Sequence, residues 1–422
     1  MDQVQRGRNR GGASPGGALG SVLPYIMAVA VLLTALTASG AFAQSPPDPE
    51  AAPTGAGGDA PAAAKPAKRS RLRSDEDGKL DISGFLDQVY GFVPIVTIIT
   101  EPAVGYGLGG GVVFVDKPEG KAQAGFGRPN LTAVAVAGTE NGTQIGGAGD
   151  IRHWLDDRLQ TLVAAGIGSI NLDYYGIGED SVLNDHPRSY NLEPLIGTVQ
   201  LKYRIGRRSR LWIGLNYALA DVKVSFDSPA ETSGPPDSPS EMRIGGLTPL
   251  LTYDSRDNIF TPASGTYLEA APGFFGEAFG GDANFQRVNL IGMQFLPLAS
   301  RWTLGVRAIG TLSYGDVPFF LRPYVALRGA PVMRYQGEQA ASVEAEVRWQ
   351  FWKRYSLVGF VGGGAAWNDF ERVDDTQTVV TGGLGFRYEL ARDYGLHAGL
   401  DVAIGPDNTA IYIVLGSAWM RP

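Results

Sequence analysis

The chain has 422 residues, 44% of them hydrophobic, with 58 glycines and no cysteine. So much glycine argues against a helical bundle, because each glycine inside a helix costs about 0.8–1 kcal/mol relative to alanine, whereas strands in a curving wall tolerate it. The missing cysteines exclude thiolate metal sites and thiol nucleophiles, and the net charge of −7 argues against a general nucleic-acid binder.

In chain order, the first element is an export signal. Arg6, Arg8 and Arg10 supply a positive start, Leu23 to Leu36 an apolar stretch, and Ala41-Phe42-Ala43 a cleavage site with Gln44 as the first mature residue. This pattern predicts a signal peptide over residues 1–43. Residues 44–80 are rich in Ala, Pro and Gly and predict a disordered linker. Its basic run, Lys65, Lys68, Arg69, Arg71 and Arg73, reads as a solvated segment rather than a contact with anionic envelope components. No later stretch reaches the roughly 18 consecutive apolar residues of a membrane helix. If the mature chain crosses lipid, a closed barrel is the remaining option, since every backbone polar group must be paired.

From residue 81 to 422 apolar residues alternate with small or polar ones. Val199, Leu201, Tyr203 and Ile205 share one face, opposite Thr198, Gln200, Lys202 and Arg204. Leu211, Ile213, Leu215, Tyr217 and Leu219 repeat the pattern, as do Val343 to Phe351 and Leu384 to Leu390. A period of two sustained this long predicts strands. Strands of about 9–11 residues, apolar outside and polar inside, suit a membrane barrel. The fold class expected is all-β: a transmembrane antiparallel barrel of about 16 strands, at about 21 residues per strand and connection. The last strand, Ile411 to Trp419, is expected to close the barrel against the first, with Tyr412 and Trp419 as closure residues and Trp419 at the periplasmic interface.

Two segments exceed generic patterning. One is Asp254-Ser255-Arg256-Asp257 continuing to Pro262 and Gly265. The other is Leu327-Arg328-Gly329, followed by Glu344, Glu346 and Arg348 on one strand face. Here the sequence resembles the Omp85 superfamily, the barrel also known as bacterial surface antigen D15. The first segment matches its D-x-R-D-x-x-x-x-P-x-x-G hairpin, the second its V/L-R-G loop motif and E-x-R strand. The resemblance covers roughly residues 90–419. It implies a 16-stranded barrel in the cell outer membrane, with a long sixth extracellular loop folded into the lumen. Arg328 would sit at the loop tip against lumen carboxylates. Glu346 is the expected partner, with Glu344 and Arg348 as further candidates. One departure stands out: where the family often reads F-x-D-x-G, this chain reads Phe360-Val361-Gly362-Gly363-Gly364, which implies a weaker or rewired latch. A second concerns the periplasmic POTRA modules of the family's assembly factors, for which residues 44–80 are too short and too rich in Pro and Ala.

Catalytic constellations are missing from the sequence. Gly105, Gly107 and Gly110 fit a dinucleotide fingerprint but lead into another strand rather than a helix. His153, His186 and His397 are scattered, and the acidic run Glu179, Asp180 and Asp185 reads as a solvated loop. No enzyme, no cofactor and no metal are expected. The partners implied are outer-membrane lipid, with unfolded outer-membrane proteins or lipids as clients and no nucleic acid. The expected function is insertion or translocation at the outer membrane; a passive channel or structural barrel is the alternative.

Overall fold

The structure, a computed structural model, describes residues 72–74, 76–83, 91–116, 130–176, 178, 181–206, 209–227, 240–368 and 376–419. The expected signal peptide, the linker up to residue 71, Glu179, Asp180 and the tail 420–422 lie outside the described residues.

The first eight strands are β1 (Gly91–Glu101), β2 (Gly105–Asp116), β3 (Asn130–Thr139), β4 (Gln144–Trp154), β5 (Leu159–Tyr174), β6 (Arg188–Arg204), β7 (Leu211–Phe226) and β8 (Glu241–Asp254). The second eight are β9 (Gly265–Phe275), β10 (Phe285–Ala299), β11 (Trp302–Gly315), β12 (Gln339–Trp352), β13 (Tyr355–Trp367), β14 (Gln377–Ala391), β15 (Leu396–Ile404) and β16 (Thr409–Leu415). Each pairs with the next in a single 16-stranded sheet, the number the residue count suggests. The sheet curls until β1 and β16 lie side by side. Among the described residues no ladder joins those two strands, so the barrel is nearly closed with a seam. The glycine fingerprint at Gly105, Gly107 and Gly110 lies along β2 in the wall.

One rim carries both ends of the barrel and mostly tight turns, such as those at 300–301 and 353–354. The other carries longer loops, the longest at 316–338. Outer-membrane barrels keep their turns short on the periplasmic side, so the first rim is periplasmic and the second extracellular.

The alternation changes its meaning partway up the wall. In the periplasmic half of β6, Val199 and Leu201 point out while Thr198, Gln200 and Lys202 point in. In its extracellular half Tyr190, Leu192 and Ile196 are buried inside, and Asn191 and Glu193 lie on the outer face. β7 does the same: Ile213, Leu215 and Tyr217 face out below, while above Asp221 and Lys223 face out and Ala220, Val222 and Val224 are buried. The lower pattern obeys lipid outside and polar lumen inside. The upper obeys water outside and a dry core inside. With 16, 17 and 16 residues, β5, β6 and β7 exceed the roughly 9–11 needed to cross lipid, and their upper ends project as a water-facing canopy. Exposed Trp154, Tyr253, Trp302, Trp349 and Trp352 ring the periplasmic edge of the apolar band, where interfacial aromatics belong.

The linker boundary expected at residue 80 falls inside an ordered arm. Residues 73 and 80 form an isolated bridge, and Ile82 N–H donates to the Leu390 carbonyl. The arm is fastened by Arg354, fully buried in the β12–β13 turn, which donates to Asp77 Oδ2 at 2.6 Å and Asp81 Oδ2 at 2.8 Å.

Candidate functional site: the lumen latch

The loop between β11 and β12 folds back into the barrel. Phe319, Phe320 and Leu321 are buried among the inward residues of β5 to β8 and β10. Phe319 meets Tyr174 and Tyr190 edge-on, with centroids 5.0 and 5.2 Å apart. Burying side chains of this size is worth about 1.5–3 kcal/mol each, so this part of the loop is an apolar plug beside β5 to β8 and β10. Polar wall residues hold the loop backbone. Arg287 donates to the Leu321 carbonyl at 3.0 Å and Arg307 to the Ala326 carbonyl at 3.1 Å.

Arg328 sits at the bottom of this loop, buried, and meets three carboxylates. Its Nε and Nη2 donate to Glu344 Oε1 at 3.1 and 2.8 Å. Its Nη1 donates to Asp401 Oδ2 at 2.7 Å. Glu346 Oε2 lies 2.8 Å from Nη2 as an ion-pair contact. The guanidinium stacks 3.6 Å from the Phe360 ring centroid. A planar fork of five donors suits such a multi-carboxylate pocket, where a lysine would not. Arg387 on β14 holds Asp401 from the other side, at 2.9 Å through Nη2, and Arg307 lies 3.8 Å from Glu344. Three arginines thus face three carboxylates, which is the balance a buried ionic cluster requires.

Of the expected partners, Glu344 meets Arg328 through directional bonds and Glu346 as an ion pair at 2.8 Å, and Asp401 is a third partner. Arg348 does not touch the loop; its Nη2 donates to the Pro262 carbonyl at 3.0 Å. Asp401 was missed, although the outward Leu400 and Val402 flanking it place it inward by simple alternation. The departure at Gly362 explains the rewiring. A Cβ there would stand 2.7 Å from Leu327 Cδ2, so the seat left by the missing aspartate is filled by the leucine of the loop motif. The anion comes from β15 instead. Gly329 adopts φ +90°, which favours glycine, and packs against Ala403 and Gly405.

The hairpin motif builds the floor. Asp254 accepts both Nε and Nη2 of Arg256 at 2.9 and 2.8 Å, and Arg256 lies over the Tyr267 ring at 4.6 Å. Asp257 Oδ1 caps the turn by accepting Ala263 N–H at 3.0 Å, and Gly265 closes it at φ +104°. Phe260 packs on Ala391 and Leu396, and its carbonyl accepts Ser417 N–H from the chain's end. The hairpin, the E-x-R strand and the terminal segment therefore meet at the periplasmic mouth, although the sequence scatters them.

The closing strand also differs from expectation. β16 ends at Leu415, and Trp419 lies beyond it, buried in the lumen rather than at the lipid interface. Its Nε1–H donates to Glu344 Oε1, and its ring packs on Phe295 at 6.0 Å. Tyr412 does not pair with β1 either; its hydroxyl accepts Gly329 N–H at 3.0 Å. On the far side of the seam, Glu101 at the end of β1 accepts Val332 N–H at 3.3 Å. The loop thereby touches both seam strands.

Among the described residues no group of His, Asp and Glu is arranged to hold a metal. A family model described as the Omp85 superfamily domain matches residues 169–406. Among solved structures, BamA from Haemophilus ducreyi lacking POTRA domains 1–3 superposes with a TM-score of 0.54 at 10% identity, over 78% of this chain and 69% of that one. CdiB from Escherichia coli gives 0.56 at 10% identity, over 82% and 66%. CdiB from Acinetobacter baumannii gives 0.50 at 9%, over 77% and 59%. The chain thus spans about two thirds or less of the two CdiB structures, and these identities speak to the fold alone. No match was found among curated proteins. The family match covers more than half of the chain and the site carries the family's loop and hairpin motifs: the chain belongs to the Omp85 superfamily and is a bacterial outer-membrane β-barrel.

Proposed function

We propose that this barrel inserts or translocates outer-membrane proteins or lipids by opening its seam sideways. The observation that carries this reading is the absence, among the described residues, of a ladder between β1 and β16. Unpaired backbone groups facing hydrocarbon are costly, so an exposed edge has a strong tendency to accept another strand. The passive-channel reading is opposed by the apolar cluster around Phe319 and Phe320, which fills the lumen beside β5 to β8 and β10.

The chain has no cysteine, so an engineered pair, one residue on β1 and one on β16, supplies the only disulfide. Oxidation is expected to abolish client assembly into the outer membrane and reduction to restore it. Client assembly that continues with the seam locked, or with the gene deleted, sinks the proposal.

A further inference from the structure

The periplasmic rim over β11 to β13 carries more than a ring of interfacial aromatics. Trp302 and Trp349 stack across strands at 5.2 Å and 10°. Trp352 and Tyr355 stack across the next turn at 5.5 Å and 14°. The N-terminal arm, held by Arg354, lays Lys79 Nζ 4.1 Å from the Trp352 ring centroid and 4.5 Å from that of Tyr355. Lys353 Nζ reaches within 6.0 Å of Trp352, and exposed Arg301 sits in the turn just before Trp302.

Four described carboxylates near the arm are already engaged. Asp77 and Asp81 are taken by Arg354, and Glu76 and Glu389 by Arg392. Among the described residues no carboxylate lies in ion-pair distance of Lys79, Lys353 or Arg301: the two lysines lie by the Trp352 ring, and Arg301 adjoins Trp302 in the neighbouring turn. A ring face attracts a cation but does not neutralise it. At headgroup depth, where basic residues attract anionic lipid, the complement is a phosphate whose acyl chains can lie along the outward apolar residues of β12 and β13, among them Val343 and Leu357.

We propose that Lys79, Arg301 and Lys353, set around Trp302, Trp349 and Trp352, bind the headgroup of an anionic phospholipid in the periplasmic leaflet. The arm positions Lys79, which gives the buried Arg354 pair a purpose at this surface.

The test uses the full mature chain in phosphatidylcholine vesicles doped with photoactivatable phosphatidylglycerol or photoactivatable phosphatidylcholine. The crosslink yield at the peptide spanning residues 349–355 is read by mass spectrometry. Phosphatidylglycerol is expected to exceed phosphatidylcholine by about fivefold for each cation engaged, from about 1 kcal/mol per basic residue. The triple variant K79Q, R301Q, K353Q is expected to fall to parity while migrating as a folded barrel. Lys223→Gln, on the opposite rim, is expected to leave the preference unchanged. Parity in the unsubstituted chain, an undiminished preference in the triple variant, or full competition by soluble glycerol phosphate at equal concentration overturns the proposal.

Discussion

Replacing Asp401 with asparagine tests the lumen latch most directly. The side chain keeps its shape and loses its charge, leaving Arg328, Arg307 and Arg387 facing Glu344 and Glu346 alone. Asp401 accepts from Arg328 Nη1 at 2.7 Å and from Arg387 Nη2 at 2.9 Å, and its side chain is fully buried. Breaking a buried pair by removing one partner costs about 3–5 kcal/mol, because the other charge is left uncompensated. The expected outcome is a loss of that size in urea unfolding from detergent micelles, followed by the mobility difference between folded and unfolded barrel on gels. Adding Arg387→Met removes the excess cation and restores the balance of two against two. The double variant should therefore recover more than half of the loss, a coupling that a mutant cycle measures. An Asp401→Asn loss under about 1 kcal/mol, or a double variant no better than the sum of its singles, refutes the charge-balance account.

Gly362→Ala is expected to destabilise by about 1–3 kcal/mol through overpacking against Leu327 Cδ2 at 2.7 Å; Leu327→Ala in the same chain should relieve most of it, and additive losses count against the fit described. Trp419→Phe keeps the ring but removes the donor to Glu344, at about 1.5–3 kcal/mol for a bond to a charged group; carboxypeptidase should then trim the end faster, and unchanged trimming contradicts the assignment. In the arm, a hydrogen bond from Arg354 holds the Asp77 carboxyl below the usual carboxylate range. At Asp81 burial pushes upward but bonds from Ser83 and Arg354 outweigh it. Both values are depressed in the folded chain, so their stabilisation is present above the unfolded value of about 3.9 and is lost as pH falls through the lower folded values. Arm release, read by limited proteolysis, should begin only below about pH 4, whereas Arg354→Gln should release it at neutral pH; release of the unsubstituted arm near pH 6 contradicts this. In planar bilayers the whole chain should be nearly silent and a chain with residues 318–336 replaced by a short Gly-Ser linker should conduct; equal conductance in both refutes the plug.

The wall was legible because two-residue alternation is a local signal. Val199, Leu201, Ile213 and Leu215 face out as the pattern requires, and the strand number followed from length. The same rule gave Glu344 and Glu346 their inward aspect, and applied to Leu400 and Val402 it yields Asp401 as well. Asp401 went unread because the expected aspartate position, now Gly362, lies on a different strand. The reversal in β6 and β7 was hidden for another reason. Alternation names two faces without saying which side of either is wet, and the answer changes where the strands leave the lipid. Trp419 carried no local sign of turning inward, because its partners Phe295 and Glu344 come from β10 and β12. The arm was equally opaque: its bonds from Arg354 span 277 and 273 residues, and nothing around residue 77 encodes them.

The seam and the latch belong to one energetic problem. Two strand edges without a mutual ladder leave backbone donors and acceptors that hydrocarbon cannot satisfy, so something other than the ladder must keep β1 and β16 together. The loop does this from inside. Gly329 N–H holds Tyr412 on β16, Val332 N–H holds Glu101 on β1, and only two residues, Ala330 and Pro331, lie between the two donors. Net contributions of about 0.5–1.5 kcal/mol per such bond are too small to seal the seam alone. They are backed by Arg328, whose ionic cluster fixes the loop's height, and by the buried Phe319 and Phe320. A perturbation that loosens Arg328 is therefore felt at the seam, while one confined to the seam strands leaves the plug in place. Arg328→Ala should raise the disulfide yield of cysteine pairs that are too far apart in the resting barrel, by widening the distances β1 and β16 sample. A yield insensitive to Arg328 means that the loop and the seam are mechanically independent.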